Sequence, residues 1–344
     1  MEQRTDASHE VVEHPPDDPT DKAAFTRRGV FGLAAGGLVT LLAGGTVRVF
    51  LLERLRWGED FFPGTPPDIT LEPRAWTTTD DSITFAVLGD NGSGGRNQMD
   101  VARQMARSYQ ATPYGLVLLA GDISYYGSID DRWDDVFVEP YRPLIDAGVT
   151  WELAIGNHEL SEKKSDDAAA EIEAQLRRFG KPGTYYTARH GPMEVFVLDS
   201  SIPLATGEGG PEQIAWLEQA LAASDARWKV GLMHQPAYSS GHHGSHVEIR
   251  DVVQPLFARY GVDIVFTGHD HHYERTTPQD GVVWIVSGAG AKLTRVDGAD
   301  FTAHAESTLQ FMLVDIDDDV MDVRAITTDG RVIDQVTLRA RSAS

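Results

Sequence analysis

Seven residues of this sequence are of types that hold metal ions: Asp90, Asp122, Tyr125, Asn157, His234, His269 and His271. They offer carboxylate, phenol, amide and imidazole donors. No thiolate joins them, because the chain has no cysteine. Mixed oxygen and nitrogen donors without sulfur suit zinc, iron or manganese better than calcium or magnesium. Seven ligands exceed what one ion with open positions takes, and two ions sharing a carboxylate account for them better. Two metals about 3.5–4 Å apart clamp the attacking and leaving oxygens of a phosphoryl displacement and generate hydroxide near neutral pH. The chemistry this set points to is phosphoester hydrolysis.

Five apolar runs must position these residues. Ile83–Leu88 ends at Gly89-Asp90-Asn91-Gly92, and Leu116–Ala120 ends at Gly121-Asp122. Val149–Ile155 ends at Gly156-Asn157-His158-Glu159, and Lys229–Met233 ends at His234-Gln235-Pro236. Val262–Thr267 ends at Gly268-His269-Asp270-His271-His272-Tyr273. Helical patterns lie between them near Gln98–Tyr109, Asp166–Phe179, Pro211–Ala223 and Val247–Tyr260. Short apolar runs alternating with helices predict an α/β fold. In open α/β sheets, functional groups gather where strands end at their carboxyl edge. One Gly-Asp after a strand is ordinary turn chemistry; five strand ends each bearing Asp, Asn or His are poorly explained by independent turns. The acidic run Asp315–Asp319 reads as a hairpin turn between Phe311–Ile316 and Val320–Ile326 rather than a calcium site, and Asp329-Gly330 predicts a second hairpin.

The net charge of −22 argues against nucleic-acid binding, which needs a basic face. An acidic surface repels anionic substrates at a distance, so a site for them must supply local positive charge, as metals do. The absence of cysteine excludes disulfides and leaves the compartment open. Residues 1–25 are rich in Pro, Asp and Glu, the composition of a disordered segment. Thr26-Arg27-Arg28 then precedes an uncharged run, Gly29 to Val47, so residues 26–47 resemble a twin-arginine export signal. As a helix this run extends about 28 Å, roughly one hydrocarbon thickness, so it is either cleaved or kept as an anchor. Membrane contact is expected only through residues 29–47, and the expected location is periplasmic or extracellular. Residues 48–81, broken by Pro63-Gly64 and Pro66-Pro67, read as a linker, and 82–344 as the catalytic domain.

The ordered set Gly89-Asp90-x-Gly92, Gly121-Asp122-x-x-Tyr125, Gly156-Asn157-His158-Glu159, Met233-His234 and Gly268-His269-x-His271-x-Tyr273-Glu274-Arg275 is similar to that of the calcineurin-like metallophosphoesterases. The tyrosine three residues after the second Asp, with the final Tyr-Glu-Arg, resembles the purple acid phosphatase branch. The resemblance implies a β-sandwich flanked by helices, four layers in the order αββα, with ligands at the C-terminal ends of strands. It implies a ferric ion on Asp90, Tyr125 and His271, and a second site for Fe(II), Zn(II) or Mn(II) on Asn157, His234 and His269. Asp122 would bridge the two. A phenolate on Fe(III) gives that branch its purple colour. The implied reaction is direct attack of metal-bound hydroxide on a phosphomonoester, an acid phosphatase activity on a small-molecule substrate. A phosphodiesterase or nucleotidase on the same metals is the alternative within the enzyme class, and a non-catalytic binding protein on this scaffold is the alternative outside it. His158 would bind phosphate or protonate the leaving group, and His242 or His243 would be the other acid. His246 reads as a plain loop histidine, His272 occupies a variable position, and His190 and His304 lie outside the motifs. Glu274 and Arg275 are expected to pair and fix the His269–His271 loop. Plant-type members carry a further β-sandwich domain; the region before Ser82 is too short for one, so a compact single-domain form is expected.

Overall fold

The computed structural model describes residues 82–160, 168–317 and 319–341, all within one unit of the chain, Glu53–Ser344. The expected disordered segment, export signal and linker lie outside the described residues. No helix among the described residues is long and apolar enough to cross a membrane.

The first of two sheets contains β1 (Ser82–Leu88), β2 (Leu116–Leu119), β3 (Thr150–Leu153), β11 (Gln310–Asp317), β12 (Val320–Thr327) and β13 (Val332–Arg339). Its order is β13-β12-β11-β1-β2-β3. The β1–β2 and β2–β3 pairs are parallel, and the pairs from β1 through β11 and β12 to β13 are antiparallel. The second sheet contains β4 (Tyr186–His190), β5 (Met193–Val197), β6 (Trp228–Leu232), β7 (Ile264–Thr267), β8 (Tyr273–Thr276), β9 (Val283–Ser287) and β10 (Thr302–Glu306). Its order is β10-β8-β9-β7-β6-β5-β4, with β5, β6, β7 and β9 parallel.

The sheets pack face to face because alternate side chains of each strand serve different cores. In β1, Phe85 and Val87 enter the core between the sheets, while Ala86 and Leu88 face helices. Phe85 meets Phe266 of β7 edge-on across the sandwich, with ring centroids 6.3 Å apart. On the outer face of the first sheet lie α1 (Arg96–Ala111), α2 (Ile129–Trp133), a π-helical turn (Asp134–Val138), α3 (Glu139–Asp146) and α4 (Ala168–Phe179). On the outer face of the second lie α5 (Gly210–Ala223) and α6 (Val247–Tyr260). The arrangement is the expected helix–sheet–sheet–helix sandwich. The inner strands are buried on both faces, which is why they read as unbroken apolar runs.

The two acidic turns also behave as expected. Asp315–Asp317 ends β11, which pairs with β12 in a hairpin, and Asp329-Gly330 turns β12 into β13. The helical stretch from Ile129 to Asp146 was not apparent in the sequence. Its acidic start, Pro140 and Pro143 hide the period, and burial of Val136, Phe137, Tyr141 and Leu144 drives it.

Candidate metal centre

The five strand ends converge although they belong to different sheets. Asp90, Asp122 and His269 all adopt left-handed backbone, with φ of 59°, 55° and 72°. Such residues cost about 1–3 kcal/mol each and persist where the surroundings determine them. Gly121, at φ 86°, permits one of these turns: a Cβ there would stand 2.6 Å from His234 Nδ1. At Gly268 a Cβ would stand 2.3 Å from Asp90 Oδ2, so only glycine lets that carboxylate pass.

Two groups of donor atoms result. In the first, the Tyr125 hydroxyl donates to Asp90 Oδ1 at 3.1 Å and lies 3.1 Å from His271 Nε2. In the second, Asn157 Oδ1 lies 2.8 Å from His234 Nε2 and 2.9 Å from His269 Nδ1. Asp122 Oδ1 lies 3.5 Å from His234 Nε2 and accepts the His158 N–H at 3.0 Å. Donor atoms of Asp90, Asp122 and His234 all lie within 4.8 Å of one another, and all three residues are buried. All seven residues singled out from the sequence are therefore brought together.

The donor set fits cations. His234 Nδ1 faces the Ala120 carbonyl at 2.8 Å and carries a proton there. Burial pushes this histidine down, but Asp122 and Asp90 outweigh it and hold it above the usual value, so a cation at Nε2 would take the place of a proton that faces Asn157 Oδ1 and Asp122. Converging acceptors of this kind need positive charge among them, as do two buried carboxylates. Burial pushes the Asp122 carboxyl up, but His234, His158 and the His158 amide outweigh it and hold the carboxyl at about 2. Burial, then His234 and His243, push His269 well below the usual histidine value, so the ring is neutral and has one nitrogen lone pair to offer. Burial with Asp90 and Asp122 holds the Tyr125 phenol well above its usual value; an adjacent cation reverses that preference.

Two buried carboxylates that the sequence did not flag shape the surrounding turns. Glu159 accepts from the amides of Ile123 at 2.9 Å and Ser124 at 3.3 Å on one oxygen, and of Gly156 at 2.8 Å and Asp122 at 3.1 Å on the other. It thereby ties the Asp122 turn to the Asn157 turn. Asp270 accepts from Ser239 Oγ at 2.5 Å and from the amides of His243 at 2.8 Å and Gly244 at 3.2 Å, holding the histidine loop. Glu159 stood inside a recognisable motif, whereas nothing in the sequence linked Asp270 to a loop some thirty residues earlier.

The expected Glu274–Arg275 pair is not formed. Arg275 binds Asp334 through Nε at 2.6 Å and a terminal nitrogen at 3.1 Å. Glu274 instead accepts from Ser240 N at 2.7 Å and Ser240 Oγ at 2.8 Å, with His272 Nε2 3.2 Å away. Successive residues of β8 point to opposite faces, so neighbours in sequence cannot share a partner. Glu274 still steadies the histidine loop, by a different route.

His158 lies beside Tyr125, with ring centroids 4.7 Å apart. His243 lies against His269 at 4.4 Å, and His242 follows at 5.0 Å from His243. His242 also lines a cleft of about 310 Å³ with Ser240, Gly241, Thr294, Arg295 and Asp297. His272 is buried outside the donor set, and His246 stands at the start of α6. His190 faces Glu152 at 3.1 Å, away from the centre.

The sequence profile of the calcineurin-like phosphoesterase family matches residues 83–273, more than half of the chain. Purple acid phosphatase 17 of Arabidopsis thaliana is 27% identical over 245 residues, covering 64% of this chain and 71% of that protein. Human tartrate-resistant acid phosphatase type 5 is 26% identical over 241 residues, covering 61% and 73%. A phosphoenolpyruvate phosphatase of Allium cepa is 29% identical over 250 residues, covering 66% of this chain but 47% of that enzyme. Among solved structures, a purple acid phosphatase from yellow lupin seeds superposes with a TM-score of 0.64 at 21% identity, over 78% of this chain and 55% of that one. An inner-membrane-complex anchor of Plasmodium superposes with a TM-score of 0.65 at 17% identity, over 76% and 90%. The two superpositions share a fold between proteins of different description, so chemistry must be argued from the side chains.

Proposed function

The chain belongs to the calcineurin-like phosphoesterase family, and from that premise we propose that it is a purple acid phosphatase-like enzyme that hydrolyses phosphomonoesters on a dinuclear metal centre. The observation that carries the reading is the buried Asp90–Asp122–His234 group, flanked by Tyr125 with His271 on one side and Asn157 with His269 on the other. Asp90, Tyr125 and His271 would hold a ferric ion, and Asn157, His234 and His269 an Fe(II), Zn(II) or Mn(II) ion, with Asp122 shared. Bound there, the metals supply Lewis-acid charge that acidifies water and neutralises phosphoryl oxygens.

The remaining work falls to the chain's own side chains. Glu159 and the glycines of the turns keep the donor atoms in place before substrate arrives, so little reorganisation is left for the reaction. His158 binds a phosphoryl oxygen or passes a proton. Burial keeps it below the usual histidine value, so it starts as the neutral base at neutral pH. His242 and His243 are exposed on the loop that Asp270 and Glu274 hold, where they can exchange protons with water. Either can protonate the departing ester oxygen, and histidine has the affinity for that task. Export through the twin-arginine-type segment at residues 26–47 places this activity in the periplasm or outside the cell.

The test is to purify the full chain, measure its metals and visible spectrum, and assay an aryl phosphate and a bis-aryl phosphate across pH. Two metals per chain, a visible band and monoester turnover on the acid side are expected. A colourless, iron-free but active enzyme defeats the ferric assignment alone. A metal-loaded protein inert on both esters defeats the phosphatase reading.

A further inference from the structure

The segment after β9 carries a cation that none of the motifs contains. Gly290 N donates to the Gly89 carbonyl at 3.1 Å, and Thr294 N donates to the His271 carbonyl at 2.9 Å. Lys292 is thus stapled between the turn that bears Asp90 and the residue His271 itself. At Gly290 a Cβ would stand 2.4 Å from the Gly89 oxygen, so the segment lies tight on that turn. The Lys292 ammonium stands 3.7 Å from the centre of the Tyr125 ring and 5.3 Å from that of Tyr126. The Tyr125 ring in turn touches His158. Among the described residues, none of the ion pairs within 4.0 Å involves Lys292.

In a chain of net charge −22, a half-buried lysine would ordinarily pair with a carboxylate, and this one stands over the Tyr125 ring whose hydroxyl reaches the buried Asp90. This one is held on an aromatic face, a contact that leaves its three N–H donors for another acceptor. The acceptor that belongs beside Tyr125 and His158 is the substrate. We propose that Lys292 is a specificity-determining residue whose ammonium contacts a phosphoryl oxygen and favours the monoester dianion over a diester monoanion. The inference rests on the phosphatase reading and deepens it. A monoester presents three non-bridging oxygens sharing two charges, and a diester presents two sharing one. A fixed protein cation beyond the metals therefore gains more from the monoester, since its attraction scales with ligand charge. The position also suits the protein's overall acidity, because a local ammonium offsets the repulsion that anions meet at long range.

The experiment compares the metal-loaded wild type with Lys292→Met, which keeps the aliphatic stem, and Lys292→Arg, which keeps the charge. Calorimetry measures binding of inorganic phosphate, and steady-state kinetics measure an aryl monoester against a bis-aryl diester. Metal content and the visible band are recorded for each variant. For Lys292→Met, phosphate binding is expected to weaken about tenfold, in line with loss of a charge-assisted contact. Monoester kcat/KM is expected to fall by a similar factor relative to diester, with metals and spectrum unchanged. Lys292→Arg should recover most of both. Unchanged phosphate affinity and an unchanged monoester-to-diester ratio in Lys292→Met overturn the proposal, and so does loss of metal, which would make the lysine a support of the centre. A wild type that neither binds phosphate nor turns over either ester defeats the phosphatase reading itself.

Discussion

Glu159→Gln tests how far the metal centre depends on a residue that reaches the donor-bearing turns through their backbone amides. The Glu159 side chain is 1% exposed, and its two oxygens accept four amide protons, two apiece. Glutamine keeps the shape but turns one oxygen into an NH2 group. Whichever way the amide flips, that group meets two N–H donors: Ile123 and Ser124 in one orientation, Asp122 and Gly156 in the other. Two bonds to a charged acceptor are lost, at about 1.5–3 kcal/mol each, and part is recovered as the turns relax, leaving a cost of about 3–5 kcal/mol. That is a large share of the roughly 5–15 kcal/mol that holds a domain folded. The relaxation is itself damaging, because the Asp122 turn is left-handed and the Asn157 turn adjoins it. Urea unfolding should show the loss of stability, and elemental analysis should show less than the wild-type metal content. A variant within about 1 kcal/mol of wild type and carrying full metal would refute the claim that Glu159 organises both turns.

Tyr125→Phe removes the hydroxyl that reaches Asp90 and His271; it should abolish the long-wavelength band in the visible spectrum with the fold intact, and a band that survives rules out this tyrosine. Asp270→Asn leaves one arm of the histidine loop without an acceptor, so kcat should fall about tenfold with metal content unchanged, and an unaltered kcat would show that the loop holds itself. Glu152 is paired with Lys181 at 2.6 Å and His190 at 3.1 Å, and although burial pushes its carboxyl up, these partners win and hold it below the usual glutamate value. A depressed folded value means stability that is present above the ordinary glutamate value and lost as pH falls through the folded one. Glu152→Gln should therefore cost on the order of 2 kcal/mol at neutral pH, the scale of a lost hydrogen bond to a charged group, and the gap to wild type in thermal unfolding should close on strong acidification. A gap that is the same at all pH values would contradict the ion-pair account.

Much of the site is written locally. A strand buried on both faces must be apolar throughout, and a chain that leaves it must turn, so Leu88, Leu119, Leu153, Leu232 and Thr267 each hand over to a short polar motif. Those motifs, and the histidine pair at 269 and 271, name the donors and their chemistry without any structure. Partnership is another matter, because it depends on which faces the sheets bring together. The Asp90 carboxylate accepts the amide of His269, 179 residues away, and His234 meets Asn157 across 77 residues. No local pattern encodes such distances. For the same reason Arg275 turned out to hold Asp334 and Glu274 to hold Ser240, since the alternation of β8 sends neighbours to opposite sides. His243 rather than His242 packs on His269, on a loop that Asp270 and Glu274 grip from far along the chain. Lys292 sits in no motif and reaches Tyr125 only because the segment after β9 is laid across the ends of other strands. Residue type and strand periodicity determined the chemistry on offer; the packing of two sheets, with its long-range contacts and buried carboxylates, decided which atoms meet to perform it.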